Sequence, residues 1–181
     1  MKKIILNLAV TLDGFIEGPN GEVDWCIMED DMDFGSFITS IDTIFYGRVS
    51  YDAWGNFQPD TATSPAEKAM WEGIYAKQKF VFSRQSREDA HATFIHDDIA
   101  GQVANIKQQG GRDIWLYGGA SLIKTFIKEG LIDVYKVSVH PVVLGAGKPL
   151  FEDVKARIGL TLLETRVFKS GVVELTYAPV R

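Results

Sequence analysis

The chain has 181 residues, 46% of them hydrophobic and 24% charged, with a formal net charge of −5. That length suits one well-buried core and is short for two independent domains, so residues 1–181 are expected to form a single domain. The acidic balance argues against duplex nucleic acid as a partner, and the single cysteine, Cys26, excludes an internal disulfide and any multi-cysteine metal site.

Lys2-Lys3 followed by "IILNLAVTL" imitates a signal peptide, but the run is interrupted by Asn7 and Thr11, stops at Asp13 and lacks a convincing cleavage site. Residues 3–12 read instead as a buried strand, and no run approaches the ~20 apolar residues of a membrane span. A cytoplasmic protein with no membrane partner is the expectation.

From Phe15 to Ile27 the chain is a glycine-punctuated loop with a Pro19-Asn20-Gly21 turn and Trp25. An acidic segment, Glu29 to Asp33, opens a short helix reaching about Ser40. "DTIFYG" is the next buried strand, and Gly47-Arg48 begins a helical turn running through Trp54. Residues 55–63 form a polar loop. Ser64, Pro65 and Glu67 make a capping box with proline at the first helical position, starting a helix to about Lys77. "KFVFS" is a strand ending at Ser83-Arg84, "ATFIH" is a short strand, and Asp97 caps a helix that Gly110-Gly111 stop.

The stretch "DIWLYGGASLIKTF", Asp113 to Phe126, reads as an apolar strand, a glycine pair and an amphipathic helix. Such a turn presents unpaired helical N–H groups, and glycines admit a ligand close to the backbone, so a phosphate is a natural guest. The same turn also closes a strand into a helix without any ligand. Beyond Gly130, "IDVYKVSVHPVVLG", "GLTLLETRVF" and "GVVELTYAP" are strands with no helices between them. The fold class is therefore α/β: an alternating β-α-β portion with parallel strands leads into a C-terminal antiparallel hairpin.

Asp13-Gly14, Gly47-Arg48, Ser83-Arg84 and Gly118-Gly119 all fall at strand ends, where open α/β sheets bind ligands. Two arginines and a glycine pair give three phosphate-compatible spots, as a dinucleotide with an extra ribose phosphate would need. Arg48 also reads as a surface ion-pair partner, Ser83-Arg84 as an ordinary polar strand end and Ala9 as core. Gly145-Ala146-Gly147 opens no helix, the acidic run 29–33 lacks the glycine and distal glutamate of a calcium loop, and His91, His96 and His140 lack metal-ligand spacing. No metal is expected.

The chain resembles the dihydrofolate reductase fold, and specifically the C-terminal reductase domain of bifunctional riboflavin-biosynthesis proteins. The matching residues are "LAVTLDGFI" at 8–16, Trp25, "YGRVSYDAW" at 46–54, "FVFSR" at 80–84, "LYGGASLIK" at 116–124 and "SVHPVVLGAGKPLF" at 138–151. The resemblance implies a three-layer α/β fold with a central mixed, mostly parallel sheet and flanking helices, an NADPH-dependent reductase and a homodimer. It implies that Gly47, Arg48, Ser83 and Arg84 lie near the adenosine half and 2′-phosphate, and that Tyr117, Gly118, Gly119, Ala120 and Ser121 hold the pyrophosphate. Ala9, Ile16 and Gly21 would line the nicotinamide, with Trp25 and Phe34 on the substrate side.

The implied substrate is a pterin-like or aminouracil-like heterocycle, as in 5-amino-6-(5-phosphoribosylamino)uracil or dihydrofolate reduction, or a small carbonyl compound. Counting back from Gly47 places the family's acidic proton donor on Asp31, expected in the first turn of a helix; Asp13, closing the first strand, is the competing carboxylate. Two departures limit the transfer. The deaminase motifs of the bifunctional proteins are missing, and so is the arginine-rich stretch after Trp25 that binds a ribose-phosphate substrate. A non-catalytic nucleotide-binding paralogue is the alternative.

Overall fold

A computed structural model describes residues 1–57 and 64–180. The loop expected over residues 55–63 therefore lies largely outside the described residues. The strands belong to two compact units.

The first unit comprises residues 1–2 and 33–119. Its strands are β3 (Ile41–Gly47), β4 (Gln78–Phe82), β5 (Thr93–Ile95) and β6 (Asp113–Gly118), in the order β5-β4-β3-β6, every neighbouring pair parallel. Ile41, Ile44, Phe45, Val81, Ile114 and Leu116 are buried. That is why β3, β4 and β6 read as continuous apolar runs: a parallel strand is covered on both faces.

Between the strands run α1 (Phe34–Ser40), α2 (Arg48–Ser50) with a π-type turn at Tyr51–Gly55, α3 (Pro65–Tyr75) and α4 (Ile99–Gln108). The Ser64 side chain accepts the Glu67 N–H at 3.2 Å, as its sequence signature requires. The cap of α4 is Asp98 rather than Asp97: its carboxylate accepts the Gly101 N–H at 3.2 Å from a left-handed backbone with φ 40°. Lys2 is buried, its ammonium bound to Asp42 at 2.6 Å and to Thr43 at 3.0 Å, so the basic start of the chain is structural.

The second unit comprises residues 3–32 and 120–180. Its main strands are β1 (Ile4–Thr11), β7 (Val134–His140), β9 (Leu160–Val167) and β10 (Val173–Pro179), ordered β1-β7-β10-β9. β1 and β7 are parallel, with Thr11 opposite His140; β10 runs antiparallel to both β7 and β9. Helix α5 (Ala120–Lys128) buries Leu122, Ile123, Phe126 and Ile127, a single apolar stripe.

Two short strands, β2 (Phe15–Glu17) and β8 (Lys148–Pro149), form a small antiparallel ribbon where an unpaired loop was expected. The ribbon is fixed by an ion pair between Lys148 and Glu17 and by close packing at Gly147, where a Cβ would meet the Glu17 carbonyl oxygen at 2.2 Å. Among the described residues no helix is long and apolar enough to cross a membrane.

Candidate active site

In the first unit the register decides what comes together. Gly47 lies opposite Phe82, and Tyr46 opposite Gly118, so β4, β3 and β6 end side by side. Their carboxyl ends carry Ser83-Arg84, Gly47-Arg48 and Gly118-Gly119. The Gly118–Gly119 peptide is cis, and Gly118 has φ 116°, a backbone region that disfavours a side chain. A Cβ on Gly119 would stand 2.9 Å from Ser50 Oγ, so the glycine lets α2 approach. Ala120 and Ser121 follow directly as the first residues of α5.

The two arginines differ in their partners. Arg84 is exposed and pairs with no carboxylate among the described residues. Arg48 donates to Asp52 at 3.0 Å, and Asp52 also accepts Arg87 at 2.7 Å. Arg87 continues to Asp89 at 3.0 Å and lies 4.5 Å from the Phe94 ring centroid. Asp89 accepts the Tyr51 hydroxyl at 2.8 Å, and the hydrogen bonds from His91, Tyr51 and Arg87 outweigh its burial to hold its carboxyl below the ordinary value. Sequence reasoning missed Arg87. The one available signal was a second basic residue in the run "SRQSRE", which by itself reads as a solvated loop.

Beneath this edge stands an aromatic cluster. The Tyr46 and Tyr117 rings are 4.8 Å apart, Tyr117 is 4.9 Å from Trp115, and the Phe34 ring meets Trp115 edge-on at 5.5 Å. Tyr46 is fully buried and its hydroxyl has no hydrogen-bond partner among the described residues. Burial pushes Tyr117 up to about 12 and Tyr46 higher still.

In the second unit Asp13 is exposed and committed. Its carboxylate accepts the Thr11 hydroxyl at 2.6 Å, the Gly145 N–H at 2.7 Å and the Leu144 N–H at 3.1 Å. The Thr11 bond, followed by those from Gly145 and Leu144, holds Asp13 below its ordinary value. Asp31 lies in a 3₁₀ turn, Asp30–Met32, ahead of α1 rather than in the helix's first turn, and is exposed. The reason is local: Asp33 takes a left-handed backbone with φ 52° and breaks the helix off before the acidic run. The Asp31 carbonyl accepts Arg166 at 3.0 Å.

Ala9 is half-buried in β1 opposite Ser138, and Ile16 is half-buried in the β2 ribbon. Gly21 has φ 88° and donates to the Gly18 carbonyl, completing the expected turn. Trp25 packs edge-on against His140 with centroids 5.4 Å apart. His140 is buried, which the absence of metal-ligand spacing could not reveal.

Comparison with known proteins then decides the family. Residues 2–174 match the model of the RibD C-terminal domain. The chain belongs to that family. This RibD C-terminal domain is 57% identical over 177 residues to the uncharacterized protein YyaP of Bacillus subtilis (strain 168), covering 97% of the chain and 94% of the relative. It is 35% identical over 176 residues to uncharacterized protein YwjB of the same organism, covering 94% and 95%.

Among solved structures, a putative riboflavin biosynthesis protein from Shewanella sp. PV-4 superposes with a TM-score of 0.80 over the whole of both chains, at 24% identity. Dihydrofolate reductase from Enterococcus faecalis, complexed with NADP(H), superposes with a TM-score of 0.66 over 99% of this chain and 97% of that one, at 14% identity. The fold is thus the dihydrofolate reductase-like α/β fold that the motifs imply.

Proposed function

We propose that this RibD C-terminal domain is an NADPH-dependent reductase that transfers hydride to a pterin-like or aminouracil-like heterocycle or a small carbonyl compound. The observation that carries the proposal is the alignment of Gly47-Arg48, Ser83-Arg84 and Gly118-Gly119 at the ends of three neighbouring parallel strands. Those residues fit a phosphorylated dinucleotide. Gly118 and Gly119 bring no side chains of their own to the strand-to-helix turn, Arg84 offers a guanidinium with no carboxylate partner among the described residues, and Arg48, paired with Asp52, offers a second at the start of α2. Tyr117, Ala120 and Ser121 belong to the same strand-to-helix passage, while Ala9, Ile16 and Gly21 are assigned to the nicotinamide side and Trp25 and Phe34 to the substrate.

NADPH, when bound, supplies the hydride. The protein's own task is to bind, to orient and to deliver a proton to the heteroatom of the reduced C=N or C=O bond. Asp13 is held ionised by three donors and serves to fix the turn after β1. Asp31, free of those constraints, is the proposed donor, directly or through water.

The exposure of Asp31 and the commitment of Asp13 favour one second reading, a cofactor-binding paralogue without turnover. One assay separates them. NADPH absorbance is followed against dihydrofolate, the aminouracil intermediate of riboflavin synthesis and a panel of carbonyl compounds. Turnover of any of these supports the reductase; tight NADPH binding with none supports the paralogue. We also propose a homodimer. Leu162, Leu163 and Val167 on the edge strand β9 are 52%, 57% and 74% exposed, an apolar margin suited to a second copy.

A further inference from the structure

The main strands of the second unit bring one polar row to a single face. Ala9 of β1 lies opposite Ser138 of β7, Ser138 opposite Glu174 of β10, and Glu174 opposite Arg166 of β9. Residues paired across strands point the same way, so these four share a face with the Lys136–Thr176 pair two residues along. The other face carries Leu8, Val137 and Leu175. A sheet sealed on both sides is apolar on both. Here one side is polar, and Ser138, Lys136 and Thr176 are only half-buried although β7 and β10 are flanked by strands on either side.

The segment that precedes α1 meets this same face at two points. Trp25 packs on His140, which pairs with Thr11, and the Asp31 carbonyl accepts Arg166. Glu174 lies in the row between Ala9 and Arg166 and is 6% exposed. The Lys136 ammonium stands 3.1 Å from its Oε1 and the Arg166 guanidinium 3.8 Å, yet Oε1 is buried and receives no hydrogen bond among the described residues. The charge is compensated; the acceptor is not. Well-packed apolar side chains serve a purely structural position at least as well as a buried ion pair. A buried acceptor left free calls for a donor from outside the chain.

We propose that Glu174 is a specificity-determining residue, its Oε1 accepting an N–H of a nitrogen heterocycle that lies on this face while Lys136 donates to a ring carbonyl oxygen. The ammonium has three donors, so it serves Glu174 and a ligand together. This builds on the reductase reading and narrows its substrate class. A cyclic amide offers both an N–H and a carbonyl, whereas a simple ketone or aldehyde offers the carbonyl alone. Two strand spacings, roughly 10 Å, separate the backbones of Ala9 and Glu174, which leaves room for a ring between the nicotinamide side and the carboxylate.

The test is calorimetric titration of the full chain, with and without NADPH, using 5-aminouracil and its 1,3-dimethyl derivative, which keeps the carbonyls and lacks the ring N–H groups. Wild type should prefer 5-aminouracil by roughly ten- to hundredfold, the effect of one hydrogen bond to a charged group. Lys136→Met combined with Glu174→Leu replaces the pair by apolar side chains and should abolish the preference. Glu174→Gln keeps the volume and an acceptor without the charge; it should reduce the preference, and it decides the matter if the double variant does not fold. Equal binding of the two probes by wild type, binding of neither, or an undiminished preference in the folded variants overturns the proposal. NADPH titration and turnover of carbonyl compounds keep the two readings apart. A wild type that oxidises NADPH with carbonyl compounds but does not distinguish the probes loses the role of Glu174 and keeps the reductase. One that distinguishes them without binding NADPH keeps that role and loses the reductase.

Discussion

The Asp13 carboxylate accepts the Gly145 N–H at 2.7 Å, joining the turn after the first strand to a loop late in the chain. Because the folded carboxyl lies below its ordinary value of 3.8, its contribution to stability is present above that value and is lost as pH falls through the folded one. Asp13→Ala should lower the melting temperature at about pH 7, and the gap to wild type should close at about pH 3 and below. Thermal denaturation followed by circular dichroism over that range checks it. A gap independent of pH would mean that the side chain's charge is not what fixes the turn.

Arg84 and Asp52 should act in opposite directions on the cofactor. Losing a charge-assisted hydrogen bond costs about 1.5–3 kcal/mol, so Arg84→Ala should weaken NADPH by roughly ten- to hundredfold and leave NADH almost unchanged. Asp52 holds both Arg48 and Arg87. Asp52→Asn should release them and tighten NADPH relative to NADH. Titrating both cofactors against wild type and the two variants reads both effects, and equal wild-type affinities would refute the 2′-phosphate assignment.

Asp31→Asn should leave NADPH affinity unaltered, since the residue is assigned to the substrate side. Turnover should fall by roughly 10²–10⁴-fold, as expected for loss of a general acid, and the residual rate should depend more steeply on pH. Full turnover in Asp31→Asn, with turnover abolished in a folded Asp13→Asn, would transfer the role to Asp13.

Light scattering tests the dimer. A mass near twice 20.2 kDa is expected for the wild type, and Leu162→Glu with Leu163→Glu should shift it towards one chain, because two buried carboxylates would face an apolar margin. A wild-type monomer at micromolar concentration removes the proposal.

How much of this was legible depended on how many residues carried each signal. β3, β4 and β6 are long apolar runs because parallel strands are buried on both faces, and the Ser64 cap is a spaced motif whose geometry follows from its residue types. The β2–β8 ribbon was not legible: three residues and two are too few to show a period, and the pairing joins positions far apart in sequence. Asp97 and Asp98 are chemically equivalent, and only the left-handed backbone at the second decides which reaches Gly101. At the candidate site the glycine and arginine doublets stood out because they follow strands. The Arg48–Asp52–Arg87–Asp89 chain of ion pairs and the burial of His140 arise from tertiary proximity, which no local pattern records.

The paired tyrosines beneath the glycine turn, their rings tilted against each other, also set an alkaline limit on the fold. In the unfolded chain the phenols of Tyr46 and Tyr117 would ionise near their ordinary value of 10.0, whereas in the folded protein burial pushes Tyr117 up to about 12 and Tyr46 further. Above the unfolded value the open chain sheds protons that the folded chain retains, so each increment of pH tips the balance towards unfolding. Base should therefore act on this protein as a denaturant through two rings 4.8 Å apart. The tyrosinate absorbance of these residues should emerge together with the loss of secondary structure, as one cooperative event.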